Sequence, residues 1–126
     1  MISGMSNTTY PDCPFCQENK LLRSTPLAES EGAYLLDAYG SPGCYLIIPK
    51  AHAETPGELP DSWVEDMDTL LPEVPADLSN YNLSFNLGKQ AGQTVKHLHM
   101  WVIPRAAGEP ASGKGLAGLI NHANRR

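Results

Sequence analysis

Two short stretches concentrate the side chains able to do chemistry: His97-Leu98-His99-Met100-Trp101 and Cys13-Pro14-Phe15-Cys16. In an extended segment side chains alternate between faces. His97, His99 and Trp101 then share one face, and Leu98, Met100 and Val102 the other. The apolar set is free to bury against a helix, while the first set presents two imidazoles close together. Imidazole is largely unprotonated near neutral pH, so it can act as a nucleophile without a separate base. Taken alone, however, the pair favours a plainer reading: a surface strand with polar residues at every second position.

The Cys13–Cys16 spacing suits tetrahedral Zn²⁺, which needs two further ligands. Cys-Pro-Phe-Cys also resembles a glutaredoxin-like active site. That chemistry wants its first cysteine just after a buried strand and at a helix N-terminus, where its pKa falls. Residues 3–12 (Ser-Gly-Met-Ser-Asn-Thr-Thr-Tyr-Pro-Asp) are no such strand, so zinc is the favoured reading. Three cysteines are an odd number for a disulfide framework. Cys44, within an apolar run, reads as a small core residue.

These groups sit in a chain of 126 residues, 41% hydrophobic, with a formal net charge of −5. The length fits a single domain over residues 1–126, large enough to bury a core without staples. The acidic balance argues against a nucleic-acid partner, which calls for a basic surface. A small anionic ligand remains compatible, because backbone N–H groups and helix ends bind phosphate without net positive charge. No apolar run approaches the roughly 18 residues of a membrane span. Met1 to Asp12 lacks the basic start and apolar stretch of an export signal, so the expected compartment is the cytoplasm.

The elements that must position the reactive groups follow from patterning. Residues 33–39 and 44–48 read as strands joined by Gly40-Ser41-Pro42-Gly43, a β-hairpin ended by Pro49. Residues 50–60 form a loop. Asp61 is placed to cap a helix carrying Trp63, Met67, Leu70 and Leu71 at helical spacing, with the acids from Asp61 to Asp68 as its solvated face and Pro72 and Pro75 as its stop. Residues 81–87 alternate, with Tyr81, Leu83, Phe85 and Leu87 on one side of a half-buried strand. Gly88 to Gly92 turns the chain into a last strand, Val95 to Ile103. The tail from Ala106 has room for a weak helix from about Leu116. The class is α+β, an antiparallel sheet with one main helix on a face. Lys50 and Lys96 are exposed lysines without a specific role, and Arg105 is read as structural.

The stretch Gly92-Gln93-Thr94-Val95-Lys96-His97-Leu98-His99-Met100-Trp101, followed by Val-Ile-Pro-Arg, resembles the signature of the histidine-triad (HIT) family, His-φ-His-φ-His-φ-φ with φ apolar. Leu46-Ile47-Ile48-Pro49-Lys50-Ala51-His52 resembles the family's apolar strand ending in Pro-Lys-x-His. Leu36-Asp37 before the Ser41-Pro42-Gly43 turn resembles its ribose-binding hairpin, and Asn86 falls at its pocket asparagine. The resemblance covers residues 13 to 105, the motif-bearing core, and leaves the tail 106–126 unread. It implies a HIT-like fold with an antiparallel sheet of about five strands and flanking helices.

The resemblance further implies that His99, the middle position, attacks the α-phosphorus of a purine nucleotide or nucleotide conjugate through a nucleotidyl-histidine intermediate. Asp37 would bind ribose hydroxyls. Gly92, Gln93 and Thr94 would hold the α-phosphate beside Asn86 and Trp101. His52 and His97 would join Cys13 and Cys16 in a structural Zn²⁺ site, and the protein would be a homodimer. The departure is Trp101, where hydrolases of the family carry a third histidine. Indole is a donor without acceptor or proton equilibrium. Two functions from different classes stay open: a nucleotidyl hydrolase or transferase, and a nucleotide-binding regulatory module with vestigial chemistry. A zinc-stabilised interaction domain is a more remote third.

Overall fold

The computed structural model describes residues 10–124, with side chains as far as residue 120. Residues 1–9, and with them most of the stretch read for an export signal, lie outside the described residues. Five strands and two helices follow in chain order: β1 (Ala28–Glu29), β2 (Ala33–Asp37), β3 (Tyr45–Pro49), α1 (Trp63–Leu70), β4 (Tyr81–Phe85), β5 (Met100–Pro104) and α2 (Leu116–Asn124). The strands form one sheet in the order β1-β2-β3-β5-β4, every neighbouring pair antiparallel. The expected α+β architecture is present.

The β2–β3 hairpin closes where turn chemistry placed it. Gly40 and Gly43 both take φ of +87°, a region that L side chains rarely adopt, and Cys44 N donates to Ser41 O at 3.1 Å. The hairpin strands lack polar alternation because the sheet is covered on both faces. Ala33, Leu35, Ile47, Met100 and Val102 pack under Trp63, Leu70 and Val74. On the other face Tyr34, Leu36, Leu46 and Ile48 meet Phe15, Leu22 and Trp101. Each fully buried large apolar side chain contributes about 1.5–3 kcal/mol. The two layers thus fix β3 and β5, from which the reactive residues hang. No helix among the described residues is long and apolar enough to cross a membrane.

Several expectations need correction. The last strand begins at Met100, not Val95. Leu98 N donates at 2.7 Å to Ala53 O in the loop after β3 rather than to a sheet neighbour, which holds residues 95–99 out of the ladder. His97 and His99 therefore do not stand on a solvated strand face; both are buried. The N-cap of α1 is Ser62 rather than Asp61, and its hydroxyl donates to Asp66 Oδ2 at 2.8 Å. Asp66 itself is 4% exposed and does not belong to a solvated acidic face. β4 ends at Phe85, and Tyr81, Leu83 and Leu87 stay exposed. The reason is the short reach of α1, which gives way to a 3₁₀ turn at Leu71–Glu73 containing Pro72.

Candidate functional site

The metal-type ligands converge. One ligand atom from each of Cys13, Cys16, His52 and His97 lies within 4.8 Å of all the others. Cys13 Sγ is 3.4 Å from His97 Nδ1, and Cys16 Sγ is 3.3 Å from His52 Nδ1 and 3.6 Å from His97 Nδ1. Zinc bonds of about 2.3 Å to sulfur and 2.0–2.1 Å to nitrogen at tetrahedral angles require edges of about 3.5 Å. The opposite ring nitrogens are fixed as donors. His97 Nε2 donates to Pro49 O at 2.7 Å, and His52 Nε2 donates to Glu54 Oε2 at 3.0 Å. Both Nδ1 lone pairs are thereby left for a cation, the arrangement usual around ligating histidines.

The same geometry disfavours dithiol redox chemistry. Cys16 leads into a single 3₁₀ turn, Gln17–Asn19, not an α-helix. Burial, with Cys13 beside it, pushes the Cys16 thiol up to about 12; a thiolate there needs a cation to share its charge. Tyr34, from the covered face of β2, donates its hydroxyl to Phe15 O at 2.6 Å and pins the cysteine segment to the sheet.

His97 joins this cluster to a second group. Its ring faces the cysteines, while its backbone oxygen lies 2.9 Å from His99 Nδ1. A carbonyl only accepts, so Nδ1 carries the proton and the Nε2 lone pair of neutral His99 is left free. Burial holds the His99 imidazole below its ordinary value, although the bond to His97 O works the other way. Burial likewise lowers His97 to about 4, against the bond to Pro49 O and with help from neighbouring His52 and His99. The Phe15 ring packs edge-on to His99, centroids 4.9 Å apart.

His99 lines a cleft of about 420 Å³, shared with Asp37, Thr94 and Trp101. Four of the expected nucleotide contacts thus meet around one cavity. Asn86, Gly92 and Gln93 are not in its wall. Gln93 is occupied with the loop itself: its Oε1 accepts from Gly88 N at 2.8 Å, and its Nε2 donates to Val95 O at 3.0 Å. Gly92 has φ of +95°, and a Cβ there would lie 3.4 Å from Asn86 Nδ2. These three residues shape the chain leading into Thr94. Lys50 is paired with Glu29 at 3.1 Å. Arg105 is structural, as expected: it binds Glu109, Asn82 and Ala111 O.

The remaining wall was not foreseen. It comes largely from the irregular segment after the cysteines, including Leu21, Leu22, Arg23 and Ser24, and from Tyr39. The Arg23 guanidinium lies 4.6 Å above the Tyr39 ring. Nothing in the pattern of residues 21–24 signals a role. Phe15, between the two cysteines, packs against the same sheet face as Leu22 and lines the cleft with residues 21–24.

The chain is similar to several known proteins. The HIT domain family model matches residues 33–108. An adenosine 5′-monophosphoramidase from Schizosaccharomyces pombe is 38% identical over 85 residues, covering 66% of this chain and 64% of that one. An adenylylsulfatase from Arabidopsis thaliana is 35% identical over 112 residues, covering 79% of this chain and 55% of that one. The chain thus spans less than two thirds of the length of either relative. Among solved structures, a Zn-bound histidine triad family protein from Mycobacterium smegmatis superposes with a TM-score of 0.61 at 28% identity, covering 82% of this chain and 81% of that one. With the family match running from the first hairpin strand through the histidine segment, the chain belongs to the histidine-triad (HIT) family.

Proposed function

We propose that the protein is a nucleotidyl hydrolase or transferase acting at the α-phosphate of a purine nucleoside phosphate or nucleotide conjugate, with His99 as nucleophile. The observation that carries this reading is the bond from His99 Nδ1 to His97 O at 2.9 Å, which leaves the Nε2 lone pair of a cleft-lining imidazole for attack on phosphorus. Asp37, exposed at the end of β2, accepts from ribose hydroxyls. The Thr94 hydroxyl holds the α-phosphate, and Asn86, Gly92 and Gln93 keep the loop leading into it in shape. Trp101 stands in place of the outer histidine. The curated relatives support the substrate class, since one is named for a nucleoside phosphoramidate and the other for adenylyl sulfate.

Zn²⁺ held by Cys13, Cys16, His52 and His97 fits the donor set. With four protein ligands it is closed to substrate and structural, tying the N-terminal segment to the histidine segment. The protein works in the cytoplasm as a homodimer.

Rapid-quench mass spectrometry with adenosine 5′-phosphoramidate and adenosine 5′-phosphosulfate, run beside His99→Ala, tests the reading. A nucleotidyl adduct on His99, absent from the variant, is the expected result. Nucleotide binding with neither adduct nor product from both compounds would move the protein to the regulatory binding class.

A further inference from the structure

Trp101 is held rather than accommodated. On β5 it pairs with Leu46 of β3 and Ser84 of β4, and it packs in the layer built from Tyr34, Leu36 and Ile48. Its ring centroid lies 6.5 Å from that of His99, and both line the same cleft. Among the described residues, two buried side-chain polar atoms have no hydrogen-bond partner: Trp101 Nε1 and Ser24 Oγ. Both residues belong to this cleft wall. Both atoms lie just beneath the cleft surface, and a buried polar group left unsatisfied costs about 1–3 kcal/mol, so a small turn of either side chain that brings it to an acceptor oxygen in the cleft is favourable. Indole N–H donates a hydrogen bond but does not give up its proton, so it solvates negative charge and cannot act as a general acid.

We infer that this site is selective by leaving group: it takes nucleotidyl mixed anhydrides whose departing group is a stable oxyanion, such as a sulfate or phosphate, and discriminates against phosphoramidates. The inference rests on the proposed role of His99 and names the substrate class of that same site. For a nucleoside 5′-phosphosulfate, the His99 Nε2 lone pair forms the N–P bond. The bridging P–O bond breaks, and sulfate leaves with the electron pair and needs no proton. The Trp101 N–H and Ser24 hydroxyl donate to oxygens of the departing group as charge collects there. Water then attacks phosphorus, and the P–N bond breaks with its pair returning to Nε2. The water's protons are divided between the product phosphate and solvent, so the sum is nucleotidyl sulfate plus water to nucleoside monophosphate, sulfate and a proton. A phosphoramidate is slowed at the first step, because its nitrogen must be protonated as the P–N bond breaks and Trp101 has no proton to give.

The test compares kcat/KM for adenosine 5′-phosphosulfate and adenosine 5′-phosphoramidate on the zinc-loaded wild-type protein. Since a positioned general acid contributes typically 10²–10⁴-fold, the expected ratio is at least about 100 in favour of the phosphosulfate. Trp101→His should narrow that ratio by on the order of 100-fold, with the gain in the phosphoramidate reaction. Should that variant not fold, a series of aryl esters of adenosine 5′-phosphate on wild type gives the same information. Rates falling steeply with the basicity of the departing phenol support the inference, and a flat series overturns it. Comparable wild-type rates on both nucleotides, with an adduct on His99, overturn the leaving-group inference and leave the proposed function standing. Turnover that survives His99→Ala, or binding without turnover of either compound, overturns both.

Discussion

The acidic residues of α1 do not share one fate. Asp66 turns inward, where Oδ1 accepts from Ser30 Oγ at 2.8 Å and Gly32 N at 3.3 Å, and Oδ2 from Ser62 Oγ. Burial alone would raise its carboxyl, but these bonds and the Lys50 charge prevail and hold it below its ordinary 3.8. The carboxylate thereby ties the β1–β2 turn to the helix. Asp66→Asn should cost about 2–3 kcal/mol at pH 7, the scale of charge-assisted bonds, read from urea unfolding. Because the folded value is the lower one, this stabilisation is full above 3.8 and fades as pH falls through the folded value. Wild type and variant should therefore converge in strong acid. Gly32 is small for the same reason, since a Cβ there would lie 2.5 Å from Asp66 Oδ2 and 2.8 Å from Ser62 Oγ. Gly32→Ala should lose about 1–3 kcal/mol by overpacking, with a lower urea midpoint as the readout.

Among the elements, the segment from Tyr10 to Ser24 depends most on its anchors. Asn19 Nδ2 donates to Tyr10 O and Cys13 O, Tyr10 stacks on His52 at 3.6 Å, and the cysteines meet the histidines. It carries little regular structure of its own. Cys16→Ser should abolish binding of one zinc equivalent and lower the melting midpoint by on the order of 10 °C, because metal binding contributes directly to folding. Metal analysis and a thermal melt check both. This segment also marks where sequence reasoning stops. The hairpin β2–β3 and helix α1 were legible because apolar runs and helical spacing end at Gly, Pro and turn residues. The ligand cluster was legible from Cys13, Cys16, His52 and His97 only with the family resemblance. The start of β5 was not, because it hinges on the bond from Leu98 N to a loop distant in sequence. Nor was the cleft wall at 21–24, whose shape comes from anchoring rather than from periodicity. The burial of Asp66 is not visible in helical spacing, because Ser30 and Gly32 arrive from the neighbouring turn to receive it.

For the whole molecule, the sheet ends on β4, an edge where Tyr81 and Leu83 are each 39% exposed. An open edge with half-exposed apolar side chains is a pairing surface. A homodimer through it should appear in sedimentation velocity at micromolar concentration, and Leu83→Lys should shift it to monomer while leaving the far-ultraviolet circular dichroism intact. A wild-type monomer at those concentrations would contradict this arrangement. At the centre of the molecule, His97 gives its ring to the cysteine cluster and its carbonyl to His99. One residue thus belongs to the scaffold and to the reactive group together. Protein purified through chelating buffers would then present as a catalytic defect although no chelator had touched the cleft. A compound that strips the cluster would pass for a substrate competitor in an inhibitor screen. Zinc content measured on each preparation separates a sequence that has lost its chemistry from a sample that has lost its support.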